Sequence, residues 1–162
     1  MIIRRVKPSD AAAVAEIYNY YVLNTDISFE TARVDAVAMG RRISEISSSY
    51  PFLVCEDAGV LVGYCYAHRW KDRTAYERTA EVTVYVDPTK RRRGIGTLLM
   101  GRLIEECKTI GLHALVACIT APNDASVGLH AGFGFERVSY FKEVGTKFGR
   151  RLDVYDYELI ID

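Results

Sequence analysis

The spacing of apolar residues changes along the chain between the two-residue period of strands and the 3.6-residue period of helices. The clearest strand covers Thr79–Val86, with valines on one face and polar or aromatic residues on the other. The clearest helix covers residues 94–110, and Gly111 follows it where glycine often ends a helix. Further strands are predicted over residues 1–6, 51–56, 60–67, 112–119, 137–140 and 152–161. Further helices are predicted over residues 9–23, 34–47 and 124–131, the first with Ser9 as its N-cap.

The order of these elements indicates the fold class. Residues 57–59 join two strands as a tight hairpin, and the last two strands are joined by a loop containing Gly145 and Gly149. Helices are interspersed among the strands. This mixture predicts an α/β (α+β) protein with a mixed, mostly antiparallel central sheet flanked by helices. The length of 162 residues suits a single domain over residues 1–162.

Composition narrows the possible classes of protein. Apolar residues make up 49% and charged residues 26%, which is typical of a soluble globular protein. The net charge is formally zero, which argues against a wide basic face for nucleic acid. No apolar run reaches membrane-spanning length, and the N-terminus lacks the apolar stretch of a signal peptide. We therefore expect a cytoplasmic protein without nucleic-acid or membrane partners.

The four cysteines show no pattern of a metal site or a disulfide framework. They form no C-x-x-C pair, and the three histidines show no ligand spacing with them. Each lies in an apolar stretch, so we expect buried, reduced thiols and no metal. The cysteines are Cys55, Cys65, Cys107 and Cys118.

One segment carries a chemical signature. Residues 82–96, VTVYVDPTKRRRGIG, pass from a strand through a basic turn with glycines into a helix. Such a turn leaves backbone N–H groups unpaired beside the positive end of the helix dipole, which suits a pyrophosphate. The spacing fits neither a P-loop nor a dinucleotide fingerprint. Residues 90–93 alone would more often be a solvated charge cluster or a nucleic-acid patch, but their position between strand and helix favours the anion site.

The pattern Arg91-x-x-Gly94-x-Gly96 after a strand resembles the acetyl-CoA pyrophosphate motif of the GCN5-related N-acetyltransferases, the GNAT superfamily. A second block that resembles this family covers residues 123–130 and is followed by Gly134 and Phe135. The resemblance is closer to the phosphinothricin and methionine sulfoximine acetyltransferase branch. The blocks that suggest this branch occur at residues 17–19, 28–31, 70–71, 79–81, 84–88 and 147–150, in order along nearly the whole chain.

The resemblance implies a GNAT fold whose sheet is splayed between the strands ending at Val86 and Ile119, with acetyl-CoA as co-substrate between them. The exposed strand backbone would pair with the pantetheine arm as an added strand would. The basic turn would hold the pyrophosphate, and Asn123 would bind the pantetheine chain. The cofactor-binding residues implied in this way are Val84, Tyr85, Val86, Arg91, Arg92, Arg93, Gly94, Ile95, Gly96, Thr97, Asn123 and Ser126.

Acetyl transfer to an amine requires a base for the ammonium, a polarised thioester carbonyl and an acid for the leaving thiolate. The resemblance makes Glu81 the predicted general base, directly or through a water. From the residues alone, an ion pair of Glu81 with Arg78 or His68 explains it equally well. The resemblance makes His130 the predicted acid, because an imidazole with a pKa near ~6.5 can give a proton at neutral pH. The residues alone favour a helix histidine bonded to a backbone carbonyl. A strand N–H within residues 82–84 would polarise the carbonyl.

The acceptor amine is expected to enter beside Phe29 and the loop of residues 69–78. Cationic side chains of this loop would bind the carboxylate of the acceptor, and its aromatic residues would pack against the acceptor's side chain. An ordinary exposed loop is the alternative. The predicted substrate-binding residues are Phe29, Lys71, Arg73, Tyr76 and Arg78. Arg151 stands where the resembling branch commonly has tryptophan, in a loop that in those relatives helps form the substrate mouth or a dimer contact.

The predicted function is an N-acetyltransferase that moves acetyl from acetyl-CoA to the α-amino group of a small amino-acid-like substrate. Phosphinothricin, methionine sulfoximine and methionine sulfone are the types considered, with direct transfer in a ternary complex. Acetylation of another amine (a protein N-terminus, a polyamine or an aminoglycoside) is one alternative. A non-catalytic acetyl-CoA-binding regulatory module is another. A homodimer is expected from the resemblance only.

Overall fold

Seven strands build one continuous sheet in the computed structural model, which describes residues 1–162. They are β1 (Ile2–Arg5), β2 (Phe52–Asp57), β3 (Val60–Arg69), β4 (Thr79–Val86), β5 (Ala114–Ala121), β6 (Glu136–Lys147) and β7 (Arg150–Ile160). Their spatial order is β1-β2-β3-β4-β5-β7-β6. Only β4 and β5 pair in parallel. The mixed, mostly antiparallel sheet predicted from the sequence is thus confirmed.

Four helices pack on this sheet: α1 (Ala11–Asn24), α2 (Ala36–Ser47), α3 (Ile95–Thr109) and α4 (Asp124–Gly132). The helices α1 and α2 lie over β2, β3 and β4 and enclose an aromatic core around Phe52 and Tyr64. On the other face, α3 packs through Leu99 and Leu103, which are fully buried. None of the four helices has both the length and the apolar character that crossing a membrane requires.

The predicted strand, turn and helix around residues 79–111 are all present. Gly94 adopts a left-handed φ of 76° immediately before α3. At the other end, Gly111 has a φ of 80°, and the N–H of Leu112 donates to the carbonyl of Cys107 over 3.1 Å. Both glycines satisfy positions that side chains would strain, so local sequence fixes where α3 begins and ends.

Ser9 is not the N-cap of the first helix. It lies inside a short 3-10 turn, Pro8–Asp10, and Asp10 stands at the N-cap position of α1. The Asp10 carboxylate stabilises this turn, because it accepts from the Lys7 N–H over 2.7 Å and from Arg4 over 2.7 and 2.9 Å. The turn moves the N-cap by one residue, from Ser9 to Asp10.

The strand predicted over residues 137–140 is much longer, because β6 continues to Lys147. Irregularities between Arg137 and Ser139 and between Phe141 and Gly145 interrupt its two-residue period, which hides the strand in the sequence. Gly145 lies inside the strand opposite Leu152, not in the loop. The hairpin turn consists of Phe148 and Gly149, with left-handed φ values of 51° and 71°.

Three of the four cysteines are buried as expected, but Cys118 is exposed. It lies on β5 opposite Asp156 of β7. The helices α1 and α2 cover β2, β3 and β4, and Cys118 lies beyond them on the sheet. The expectation of a buried thiol at this position is therefore wrong.

A gap opens between the two parallel strands at the centre of the sheet. The strands β4 and β5 pair only from Thr79 opposite Ala114 to Glu81 opposite Val116. Beyond Glu81, no residue of β4 pairs with β5, although β4 runs on to Val86 and β5 to Ala121. The splayed sheet implied by the family resemblance is present.

Candidate active site

The backbone of β4 presents unpaired groups to this gap at alternate residues. The N–H of Asp87 donates to the carbonyl of Val62 on β3 over 2.9 Å, and the Tyr85 carbonyl also faces β3. By alternation, the backbone groups of Val84 and Val86 point away from β3 into the gap. The expectation that Tyr85 also offers its backbone is not met, because β3 already uses it; the Tyr85 side chain lines the gap instead.

A wide cavity of about 670 Å³ lies at the open end of the gap, over the basic turn. None of the backbone N–H groups from Arg91 to Thr97 donates to a protein acceptor. They lie in a turn shaped by left-handed Arg92 (φ 60°) and Gly94, at the N-terminus of α3. Unpaired N–H groups and the helix dipole together make this end of the gap a candidate anion site. Its lining comprises Tyr21, Ile27, Val84, Tyr85, Val86, Lys90, Arg91, Arg92, Gly94, Ile95, Gly96, Thr97, Asn123, Ala125, Ser126, Gly128 and Leu129.

Two arginines of the turn are already engaged with protein groups. The Arg91 guanidinium lies over the rings of Tyr20 and Tyr21, 5.7 and 5.5 Å from their centroids. Arg91 still lines the wide cavity. Arg93 does not line it, because its guanidinium pairs with Asp57 over 2.9 Å. Of the four cations predicted around the anion site, Arg93 is therefore the one that does not reach it.

A narrow cavity of about 120 Å³ continues the gap toward the paired ends of β4 and β5. The two cavities share Ile27, Val84, Tyr85, Asn123 and Ser126, so they form one continuous passage. Glu81 and His130, which are 49 residues apart in the chain, both line the narrow cavity. The remaining lining residues are Val82, Thr83, Ala117, Cys118, Ile119 and Thr120.

Glu81 is half-buried, with 30% of its side chain exposed. It lies opposite His68 in the β3–β4 register, and its Oε1 is 3.8 Å from His68 Nε2. Arg78 is not its partner, because the Arg78 Nε donates to the carbonyl of Gly111 over 2.9 Å at the end of α3. Of the two partners considered for Glu81, His68 is therefore the one within ion-pair distance when its ring is protonated, and the separation is too long for a hydrogen bond.

His130 is buried, with 3% of the residue exposed. Its Nδ1 donates to the Ser126 carbonyl over 2.8 Å, which fixes the neutral tautomer and leaves Nε2 as an acceptor. Nε2 is buried without a partner. Burial lowers the pKa of His130, partly offset by the bond to Ser126, so the imidazole is neutral at pH 7. The resting histidine therefore accepts a proton or hydrogen bond, whereas the sequence suggested a donor.

Asn123 and Ser126 sit at the start of α4, beside both cavities. The Asn123 Oδ1 caps the helix by accepting from the Ser126 N–H over 3.2 Å. This leaves the amide NH₂ of Asn123 available for another acceptor. The Ser126 hydroxyl is 3.4 Å from the Nδ1 of His130.

None of the five predicted substrate-binding residues lines either cavity. Lys71 lies over the Trp70 ring at 4.0 Å, and Trp70 contacts Tyr76 edge to face. Arg73 is the N-cap of the short 3-10 turn Thr74–Tyr76. The Arg78 side chain caps α3, as described above, which removes it from the acceptor side.

The segment after α1 contributes more to the passage than the sequence pattern indicates. Ile27 lines both cavities, and its carbonyl accepts from the Thr120 hydroxyl at 3.4 Å. The buried Lys147 donates to the Ser28 carbonyl over 2.6 Å, and burial lowers the pKa of this lysine. Phe29 packs against Gly145, where a β-carbon would come within 2.5 Å of the ring Cζ. The hairpin of β6 and β7 thereby holds this wall of the passage in place.

Other lining residues gave no usable signal in the sequence. Tyr21 donates its hydroxyl to the Val86 carbonyl over 2.5 Å and so closes the end of the gap. Cys118 faces the narrow cavity beside Glu81.

Arg151 pairs with Glu143 over 3.3 Å on the β6–β7 hairpin and lines neither cavity. No group of three or more histidine, cysteine or carboxylate side chains that could hold a metal ion is present.

Comparison with known proteins relates this geometry to acetyl transfer. A family model described as an acetyltransferase (GNAT) domain matches residues 3–155. The L-amino acid N-acyltransferase MnaT of Escherichia coli is 39% identical, and the match covers 100% of this chain and 95% of that protein.

Two solved structures are similar over nearly the whole chain. A phosphinothricin acetyltransferase from Sinorhizobium meliloti, in complex with acetyl-CoA, is 32% identical with a TM-score of 0.96, covering 99% of this chain and 88% of the other. A ribosomal-protein-alanine N-acetyltransferase from Brucella melitensis is 35% identical with a TM-score of 0.97, covering 99% of both chains.

Proposed function

Because the chain belongs to the GNAT acetyltransferase family, we propose that it transfers the acetyl group of acetyl-CoA to the α-amino group of a small amino-acid-like acceptor. The observation that carries this proposal is the passage itself. It leads from the unpaired N–H groups of residues 91–97 through the β4–β5 gap to Glu81 and His130. The relatives named for L-amino acids and for phosphinothricin support this acceptor class.

The residues present suit acetyl-CoA. The turn of residues 91–97 would hold the pyrophosphate with backbone N–H groups, helped by Lys90, Arg91 and Arg92. The free backbone groups of Val84 and the free N–H of Val86 would bond the pantetheine amides as a neighbouring strand does. Asn123 would contribute its free amide NH₂. Acetyl-CoA supplies the activated acyl group. The Nε2 of His130 is buried without a hydrogen-bond partner, so a bound polar group could donate a hydrogen bond to it.

The chemistry assigned to the protein is proton handling. Glu81 takes a proton from the acceptor ammonium, directly or through one water, and so generates the nucleophilic amine. His130 starts neutral, so in this proposal it takes up a proton before it could serve the departing thiolate. Transfer occurs directly in a ternary complex, in one domain and without a covalent enzyme intermediate.

Release of coenzyme A, followed with a thiol reagent, tests this function. The acceptor panel contains methionine sulfone, methionine sulfoximine, phosphinothricin, spermidine, an aminoglycoside and a peptide with an N-terminal alanine. Glu81→Gln should lower kcat by about 100- to 10,000-fold, the usual contribution of a general base. The matched control Glu45→Gln changes an exposed carboxylate on α2 and should retain full activity.

Each outcome of this assay decides something specific. Turnover of the amino-acid analogues, lost in Glu81→Gln only, supports the acceptor class and the base. Turnover of the alanine peptide alone would favour the activity for which the Brucella protein is named. Acetyl-CoA binding without turnover of any amine would favour a regulatory module and contradict the proposal.

A homodimer and a cytoplasmic location complete the proposal. The outer strand β6 exposes Val138, Phe141 and Val144, with Phe148 at its turn, and a second copy is the occupant suggested by the family. Light scattering after gel filtration tests the dimer, with Val144→Glu as the disrupting variant. The four free thiols support a reducing compartment.

A further inference from the structure

His68 lies beside the proposed base, on the neighbouring strand. It is the direct cross-strand partner of Glu81, and the two side chains share the face of the sheet that the narrow cavity opens onto. His68 Nε2 is 3.8 Å from Glu81 Oε1.

The orientation of the His68 ring is fixed by its other nitrogen. Nδ1 is 2.9 Å from the carbonyl of Arg69, and a carbonyl only accepts, so Nδ1 carries the proton. In the neutral ring, Nε2 therefore presents a lone pair toward Glu81. In the charged ring, the same atom presents a proton.

The pair connects the cavity to solvent. One third of the His68 side chain is exposed, as is 30% of the Glu81 side chain, whereas His130 is buried. The other groups facing the pair are the Tyr66 ring, 5.7 Å from the His68 ring, and Cys118, which neighbours Glu81 from β5 with Asp156 behind it. No lysine or arginine forms an ion pair with Glu81.

Burial opposes protonation of His68, but the adjacent Glu81 carboxylate outweighs it, with help from the Arg69 carbonyl. The pKa of His68 is consequently raised above its usual value.

The stoichiometry of the proposed reaction requires an exit for one proton. An ammonium loses two protons on becoming an amide, and the departing coenzyme A thiolate takes up only one. The second proton must leave through protein groups or water while the acceptor occupies the cavity. Glu81 alone would hold that proton and would remain inactive as a base until it is lost.

We propose that His68 is the relay that accepts this proton from Glu81 and delivers it to solvent, an inference that rests on the proposed role of Glu81. Protonated Glu81 donates through Oε1 to the Nε2 lone pair of His68, which regenerates the carboxylate and leaves an imidazolium. The imidazolium then loses its Nε2 proton to water. The 3.8 Å separation has to shorten in the complex, as apo contacts of catalytic groups commonly do.

The test compares pH profiles of kcat for the wild type and His68→Gln, which cannot take up the proton. The relay works only while His68 is neutral, so the wild-type to variant ratio should rise with pH, from near one where His68 is protonated to roughly tenfold where it is neutral. A purely structural role would give a ratio that does not depend on pH. His113→Gln is the matched control, because its imidazole pairs with Asp162 and lines neither cavity.

Chemical rescue gives a second readout. Added imidazole should raise kcat of His68→Ala but not of Glu81→Gln, with acetyl-CoA binding unchanged in both. A ratio that is flat with pH together with no rescue would overturn the relay. If the wild type is active and Glu81→Gln is inactive while the relay tests fail, the proposed function stands and only the relay is refuted. If Glu81→Gln retains full activity, both the role of Glu81 as the base and the relay are refuted. If the wild type acetylates no amine, the proposed function itself is refuted.

Discussion

Gly63→Ala should lower the stability of the protein and raise KM for acetyl-CoA, because it disturbs the packing of α3 on the sheet. Gly63 lies on β3 beneath the start of α3. A β-carbon at this position would lie 3.0 Å from Ile95 Cγ2, 3.1 Å from Leu99 Cδ1 and 3.1 Å from the Tyr85 carbonyl oxygen. Ile95 and Leu99 are buried, and the Tyr85 carbonyl is held in the sheet, so the first turn of α3 has to move outward.

The magnitude follows from these three contacts. Ordinary carbon–carbon contacts begin near ~3.5 Å, so α3 must rise by roughly 0.5 Å at Ile95. Overpacking of this kind costs about 1–3 kcal/mol of unfolding free energy. In a domain of this size, that loss lowers Tm by about 2–4 °C per kcal/mol. Because Ile95 directly follows Gly94, the displacement reaches the anion site, and KM for acetyl-CoA should rise several-fold while kcat stays near wild type.

Urea denaturation and initial rates at varied acetyl-CoA concentration measure the two effects on the same preparation. Gly132→Ala is the control, because no atom lies within 4 Å of its β-carbon position and its backbone is helical. We expect it to leave KM unchanged and to raise stability by up to ~1 kcal/mol. A Gly63→Ala protein with wild-type stability and wild-type KM would refute the close approach of α3 to the sheet.

Three further predictions concern the passage. Gly96→Ala should leave stability nearly unchanged, since the added methyl meets Leu129 at an ordinary 3.4 Å, yet should raise KM for acetyl-CoA; an unchanged KM would show that the backbone at this position does not approach the ligand. Gly145→Ala should displace the Phe29 ring and raise KM for the amino acid without affecting KM for acetyl-CoA, so equal effects on both would argue against it. Burial lowers the pKa of His130 below its unfolded value of ~6.5, so its contribution to the unfolding free energy is present above that pH and is lost as pH falls through the folded pKa. Urea titrations from about pH 8 to 5 should therefore show a smaller loss for His130→Gln than for wild type, and parallel losses would contradict the assignment.

Much of the scaffold of the site follows from local sequence. The alternation in β4, the four-residue spacing in α3 and the glycines that bracket this helix each act over a few neighbouring residues. Their physical causes, side-chain period and left-handed backbone, are visible in the chain without knowledge of the fold. The basic turn with its unpaired N–H groups could thus be placed correctly. The residues that local patterns misjudged lie where irregularities break the period, as in β6.

The sequence by itself determined the strand, turn and helix that form the anion site, and its motifs carried the resemblance to the GNAT family. Only the tertiary structure decided which side chains reach the passage. It directs Arg78 to the end of α3 and Arg93 to Asp57, and it places His68 beside Glu81. It also isolates the Nε2 of His130. These outcomes depend on strand register and on contacts between distant segments, and a side chain's charge or type does not specify which partner the fold brings to it.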